Sequence, residues 1–125
     1  MKPTTGMTVE NYRWAQELVD ARDPLGALRL IEPTLDAERD NVAVQLLAAR
    51  AYFGSAQLGR AEATLRRVVE LDPGDAWALH ALGRTLERSG RGAEAAPYLR
   101  LAAAMCPEPE YLTAAWRHMP TPNEA

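Results

Sequence analysis

A spacing of 34 residues constrains this chain more than any single side chain does. Leu82-Gly83, Leu86, Ala95, Leu99, Ala102 and Pro107 stand 34 positions after Ala48-Ala49, Tyr52, Ala61, Leu65, Val68 and Pro73. The same step back leads to Trp14-Ala15, Leu18, Ala27, Ile31, Thr34 and Arg39. A period of this length describes helical hairpins stacked one on the next, each repeat burying its apolar face only against its neighbours. Such stacks offer a surface for a partner more readily than a pocket for chemistry.

Each repeat divides into two apolar stretches of helical period, separated by a short polar or glycine-bearing break. The breaks are Ala21-Arg22-Asp23-Pro24, Gly54-Ser55-Ala56-Gln57 and Ser89-Gly90-Arg91-Gly92. Asp23 is placed to cap the helix it precedes, and Pro24 fits a first helical turn because its missing N–H is not needed there. Asp40-Asn41, Asp72-Pro73-Gly74-Asp75 and Pro107-Glu108-Pro109 separate one repeat from the next, with Asn41 and Asp75 as caps. These signals predict helices over 8–20, 24–37, 42–54, 58–71, 76–89, 93–105 and 110–118.

Packing explains the columns. Ala15, Ala49 and Gly83 fall on first helices and Ala27, Ala61 and Ala95 on second helices, where small side chains let two backbones cross closely. Leu18, Tyr52 and Leu86, with Ile31, Leu65 and Leu99, fill the space beside each crossing. Trp14 and Trp116 occupy a packing column and are expected to point inward. Pro33 lies inside the second helix and is expected to bend it, and Pro97 lies near the start of the sixth.

The pattern over residues 8–109 resembles the tetratricopeptide repeat family. The resemblance divides the chain into a tail at 1–7, a single domain at 8–119 with repeats 8–41, 42–75 and 76–109 and a capping helix at 110–118, and a tail at 120–125. The first repeat departs from the pattern at Thr34 and Arg39. After Pro109 the phase continues, since Tyr111, Ala114, Trp116 and His118 stand 34 residues after Trp77, His80, Leu82 and Arg84. Arg117, in the small-residue column, is expected to mark the point where stacking stops. The fold implied is all-α: a right-handed α-α superhelix of about seven antiparallel helices, whose concave wall is built from first helices.

Positions two, five and nine of each repeat share one face of a first helix at 3.6 residues per turn. The rows they form are Val9, Ala43, Trp77 and Tyr111; Tyr12, Leu46, His80 and Ala114; and Gln16, Arg50, Arg84 and His118, with Phe53 and Arg88 flanking. The candidate groove residues are therefore Tyr12, Gln16, Leu46, Arg50, Phe53, Trp77, His80, Arg84, Arg88 and Tyr111. Aromatic and aliphatic side chains beside arginines suit a peptide with apolar anchors and acidic groups. The plainer alternative has Arg50 and Arg84 paired with Glu17 or Glu87 in surface salt bridges, Trp77 folded back on the preceding linker, and Tyr12 and Phe53 shielded by neighbouring repeats. A familiar use of this family grips the carboxylate end of a chaperone peptide through Lys, Asn and Arg. The matching positions hold Tyr12, Gln16, Leu47, Trp77 and Ala81, so that clamp is not expected.

Signals for chemistry are sparse. His80 and His118 fall on different first helices with no carboxylate or cysteine at ligand spacing, and Cys106 precedes a proline with no histidine on its face, so no metal, cofactor or catalytic residue is expected. The 14 basic and 17 acidic residues leave a net charge of −3, which does not favour nucleic acid. A lone cysteine fits a reducing compartment, and with neither a secretion signal nor a membrane span evident, a cytoplasmic protein is expected. The leading reading is an adaptor or scaffold that holds a partner peptide or helix in its groove. The alternatives are a homo-oligomer assembled through exposed stack ends or convex helices, and a chaperone masking an apolar segment of a dedicated partner.

Overall fold

A computed structural model describes residues 6–119. The described residues form helices α1 (Val9–Asp20), α2 (Pro24–Ile31), α3 (Val42–Gly54), α4 (Leu58–Leu71), α5 (Ala76–Arg88), α6 (Gly92–Met105) and α7 (Pro109–Trp116), with one 3-10 turn (Glu32–Thr34) and no strand. The chain divides at Pro73–Gly74 into two compact units, the first holding α1 to α4 and the second α5 to α7.

Helix starts follow the capping residues. Thr8 accepts from the Asn11 amide at 3.1 Å, Asp23 from Gly26 at 3.0 Å, and Asp75 from Ala78 at 3.0 Å. Asn41 accepts from both Ala43 and Val44. Each satisfies an amide that the first helical turn leaves without a partner.

Hairpin turns repeat in backbone as well as in sequence. Arg22, Ala56 and Gly90 each take a left-handed conformation, with φ of 63°, 57° and 77°. The next amide then closes the turn: Asp23 donates to Leu18 C=O, Gln57 to Tyr52 C=O and Arg91 to Leu86 C=O, at 2.8, 3.0 and 2.9 Å. This is the Schellman closure of a helix end, which glycine adopts without strain and other residues do not.

Pro33 does more than bend its helix. α2 stops at Ile31 and passes into the 3-10 turn, so the stretch expected as one helix over 24–37 is split. A proline has no amide to continue the ladder, and the Thr34 hydroxyl instead donates to Ile31 C=O at 2.8 Å, which lets a polar residue occupy a buried column. Gln45 is also buried, and its amide donates to Glu38 C=O at 3.0 Å, tying α3 to the loop before it. α6 by contrast runs through Pro97 without interruption.

In the first unit Ala15, Ala27, Ile31, Ala49, Ala61, Leu65 and Val68 are fully enclosed. In the second, Gly83 marks the tightest crossing: a Cβ there would stand 2.5 Å from Leu99 Cδ2.

The tryptophans correct the expectation of inward packing. One column holds Trp14, Ala48, Leu82 and Trp116; its inner members are buried, whereas Trp14 is 56% and Trp116 71% exposed. Trp14 lines a cleft between α1 and α2 with Leu18, Gly26 and Leu30. For Trp116, no helix among the described residues follows α7 to complete its hairpin.

Candidate partner-binding surfaces

In the first unit, the expected binding rows meet an open cleft of about 200 Å³ between the starts of α1 and α3. Val9, Tyr12, Ala43 and Val44 line it together with Met7 and Asn41. Its mouth is fixed by Glu38, which accepts from the Met7 amide at 3.0 Å and from the Asn41 side chain at 2.9 Å. Val9 and Ala43 are exposed, Tyr12 and Leu46 half-buried, and Gln16 lies exposed one turn beyond Tyr12. Phe53, near the end of α3, is half-buried. Arg50 is partnered: its Nη2 stands 2.8 Å from Asp20 Oδ1, so the carboxylate it uses is Asp20 and not Glu17. Both side chains remain substantially exposed, so a competing carboxylate can reach the pair.

In the second unit the equivalent face of α5 carries Trp77, His80, Arg84 and Arg88. Trp77 and Arg84 are half-buried and Arg88 is exposed at the helix end. His80 and Tyr111 are enclosed, at 4% and 7% exposure, with their rings stacked at 4.4 Å. Neither presents a side-chain surface while α7 is in place. Burial holds His80 below the ordinary histidine range, against the opposing pull of Glu110.

Glu87 gathers the charges at the far end of this face. Its Oε1 lies 2.9 Å from Arg117 Nη2 and 3.1 Å from Arg84 Nε, the latter an ion pair off the hydrogen-bond line. Its Oε2 accepts from Arg117 Nε at 3.1 Å and lies 2.7 Å from His118 Nε2. Burial pushes this carboxyl up, but the bonds from Arg117 and His118 outweigh it and keep it below the ordinary range. Arg84 thus takes the plainer of its two expected roles, paired with Glu87. The hub at Glu87 is a feature the sequence pattern did not single out; the signal available was its place on α5 one turn after Arg84.

Among the described residues no three His, Cys, Asp or Glu side chains converge as a metal site. The Cys106 thiol points at Glu108 Oε1, 3.4 Å away; partial desolvation and that carboxylate raise its pKa and keep it protonated. No helix among the described residues is long and apolar enough to cross a membrane.

Residues 18–81 match the family model of the tetratricopeptide repeat. No curated protein matches the sequence. Among solved structures the chain is similar to YrrB, described as a TPR protein with an unusual peptide-binding site, at 20% identity and a TM-score of 0.74, covering 86% of this chain and 55% of that one. It is also similar to MamA (residues 41 to the end) from Desulfovibrio magneticus RS-1, at 23% identity and a TM-score of 0.69, covering 76% of this chain and 54% of that one. The chain spans about half the length of these structures, and the likeness is one of fold.

Proposed function

The chain belongs to the tetratricopeptide repeat family, and from that premise we propose that it is a protein-interaction module that holds a segment of a partner against the first-helix face of its hairpins. The observation that carries this reading is the cleft between α1 and α3, open, largely apolar and lined by Val9, Tyr12 and Ala43. An apolar anchor of the partner enters the cleft. Leu46 and Gln16 extend the contact, and an acidic side chain competes with Asp20 for Arg50. Trp77, Arg84 and Arg88 offer a similar aromatic and cationic combination on α5. A ligand of this class is supported by YrrB, a protein of like fold with an unusual peptide-binding site. A role without catalysis, in the cytoplasm, belongs to the same reading.

The test is selection of binders from a random peptide library, followed by affinity measurement with Tyr12→Ala. Expected are peptides that pair an apolar residue with acidic ones, and a loss of about tenfold or more in affinity, as for a buried interface aromatic. Selected peptides that bind the variant unchanged contradict this assignment.

A second reading, self-association, is favoured by one observation. Leu112 and Trp116 on α7 and Met119 just past it form an exposed apolar patch, and Trp14 is exposed on α1. Light scattering over a concentration series tests it: a rising mass that Trp116→Ser abolishes supports self-association, and a constant monomer mass removes it.

A further inference from the structure

Both histidines of the sequence stand where α7 meets α5, and each faces a carboxylate from the other side. His80 on α5 has its Nε2 3.4 Å from Glu110 Oε1 on α7, and His118, just past α7, has its Nε2 2.7 Å from Glu87 Oε2 on α5. The two sites differ in depth. Glu87 binds His118 at a half-open surface, whereas the His80 ring is enclosed beneath Tyr111 and its Nδ1 has no hydrogen-bond partner.

A neutral imidazole suits this enclosure. With Nε2 carrying the hydrogen toward Glu110, the bare Nδ1 leaves only an acceptor unused. A second proton turns Nδ1 into a buried donor with nothing to receive it and adds a charge where water is excluded, a costly combination. Arg84 on the same helix and Arg117 after α7 add repulsion. Glu110 supplies the opposing attraction, but its side chain is 72% exposed, so solvent weakens that pull.

We propose that the start of α7, a helix packed along α6, is a proton-controlled latch over α5: protonation of His80 breaks its stack with Tyr111 and loosens α7 from α5 under mildly acidic conditions. The direction follows from linkage. Because docking holds His80 below its ordinary value, the released state takes up the proton more readily; docking is at full strength above about pH 6.5 and weakens as pH falls below it. The lowered Glu87 carboxyl adds a loss of the same sign in a more acidic window. Arg117 and His118 hold the chain just past α7 to Glu87, so release starts at the Tyr111 end. The uncovered surface is the His80 face of α5.

The test is amide hydrogen exchange on the full chain at about pH 7.5 and about pH 5, corrected for intrinsic rates, comparing α7 with the α6 core around Leu99. The expected result is a loss of α7 protection relative to α6 at the lower pH. In His80→Phe, which keeps a flat ring on Tyr111 but does not titrate, that loss should vanish. Equal α7 protection at both pH values, or the same loss in His80→Phe, overturns the proposal. Should the variant misfold, an NMR titration of His80 in the unaltered chain decides: protonation below the ordinary range, coincident with loss of the Tyr111 ring contacts, supports the latch, and protonation at or above that range overturns it.

Discussion

The same two columns of the repeat have opposite fates in the two units. In the first, Val9, Ala43 and Tyr12 are open or half-open and border a cleft, with Leu46 half-buried nearby; in the second, Trp77 is half-buried but Tyr111, His80 and Ala114 are closed away, because α7, packed along α6, stacks Tyr111 on His80. The small-residue column contrasts in a similar way: Ala49 fits its crossing, whereas Gly83 leaves no room for a methyl group against Leu99. A repeat column thus sets which face a side chain occupies. The neighbouring helix decides whether that face is available.

Core truncation is expected to have the largest effect, and it samples both units. Leu65→Ala and Leu99→Ala each remove a fully enclosed side chain and should cost about 2–5 kcal/mol in denaturant unfolding. A cost under about 1 kcal/mol at Leu99 alone would break the picture of a tighter second hairpin.

The crossing column sharpens the contrast at intermediate size. Gly83→Ala should destabilise by about 1–3 kcal/mol through overpacking, although alanine is the better helix former. Ala49→Gly should also destabilise, by about 0.5–1 kcal/mol, through lost helix propensity, with a further cost for the lost methyl contacts. If Gly83→Ala stabilises the protein on thermal melting, the close approach of α5 and α6 is wrong. Removing the Asp75 cap with Asp75→Ala should cost about 1 kcal/mol.

The smallest effects lie at the turns and run in opposite directions. Arg22 and Ala56 hold left-handed backbone in the first unit, so Arg22→Gly and Ala56→Gly should each stabilise by about 0.5–1 kcal/mol, whereas Gly90→Ala in the second should destabilise by a similar amount. Calorimetric midpoints that fall for Ala56→Gly would contradict the turn geometry.

Much of this architecture was legible in the sequence. Asp23, Asn41 and Asp75 announced helix starts through local chemistry, and the 34-residue columns placed Ala15, Ala49 and Gly83 at crossings. The features that escaped depend on contacts between residues distant in sequence. Trp14 and Trp116 follow the packing column but stay exposed, an outcome set by the surfaces of the helices around them. Glu87 collects Arg117 and His118 from 30 and 31 residues away, a convergence no local window displays. Arg50 on α3 pairs with Asp20 at the end of α1 and not with Glu17, a partner from 30 residues away that the sequence spacing did not pick out. The end of α2 at Ile31 reflects Pro33, whose presence was plain although its outcome, termination and not a bend, depended on the 3-10 turn that Thr34 completes.

The contrast between an open first unit and a covered second one meets its most direct test in an NMR map of the amides shifted by a selected peptide at saturating concentration. The shifts are predicted to cluster on Val9, Tyr12, Ala43, Val44 and Leu46. A map centred instead on Trp14 and Trp116, with the cleft unmoved, would contradict the account.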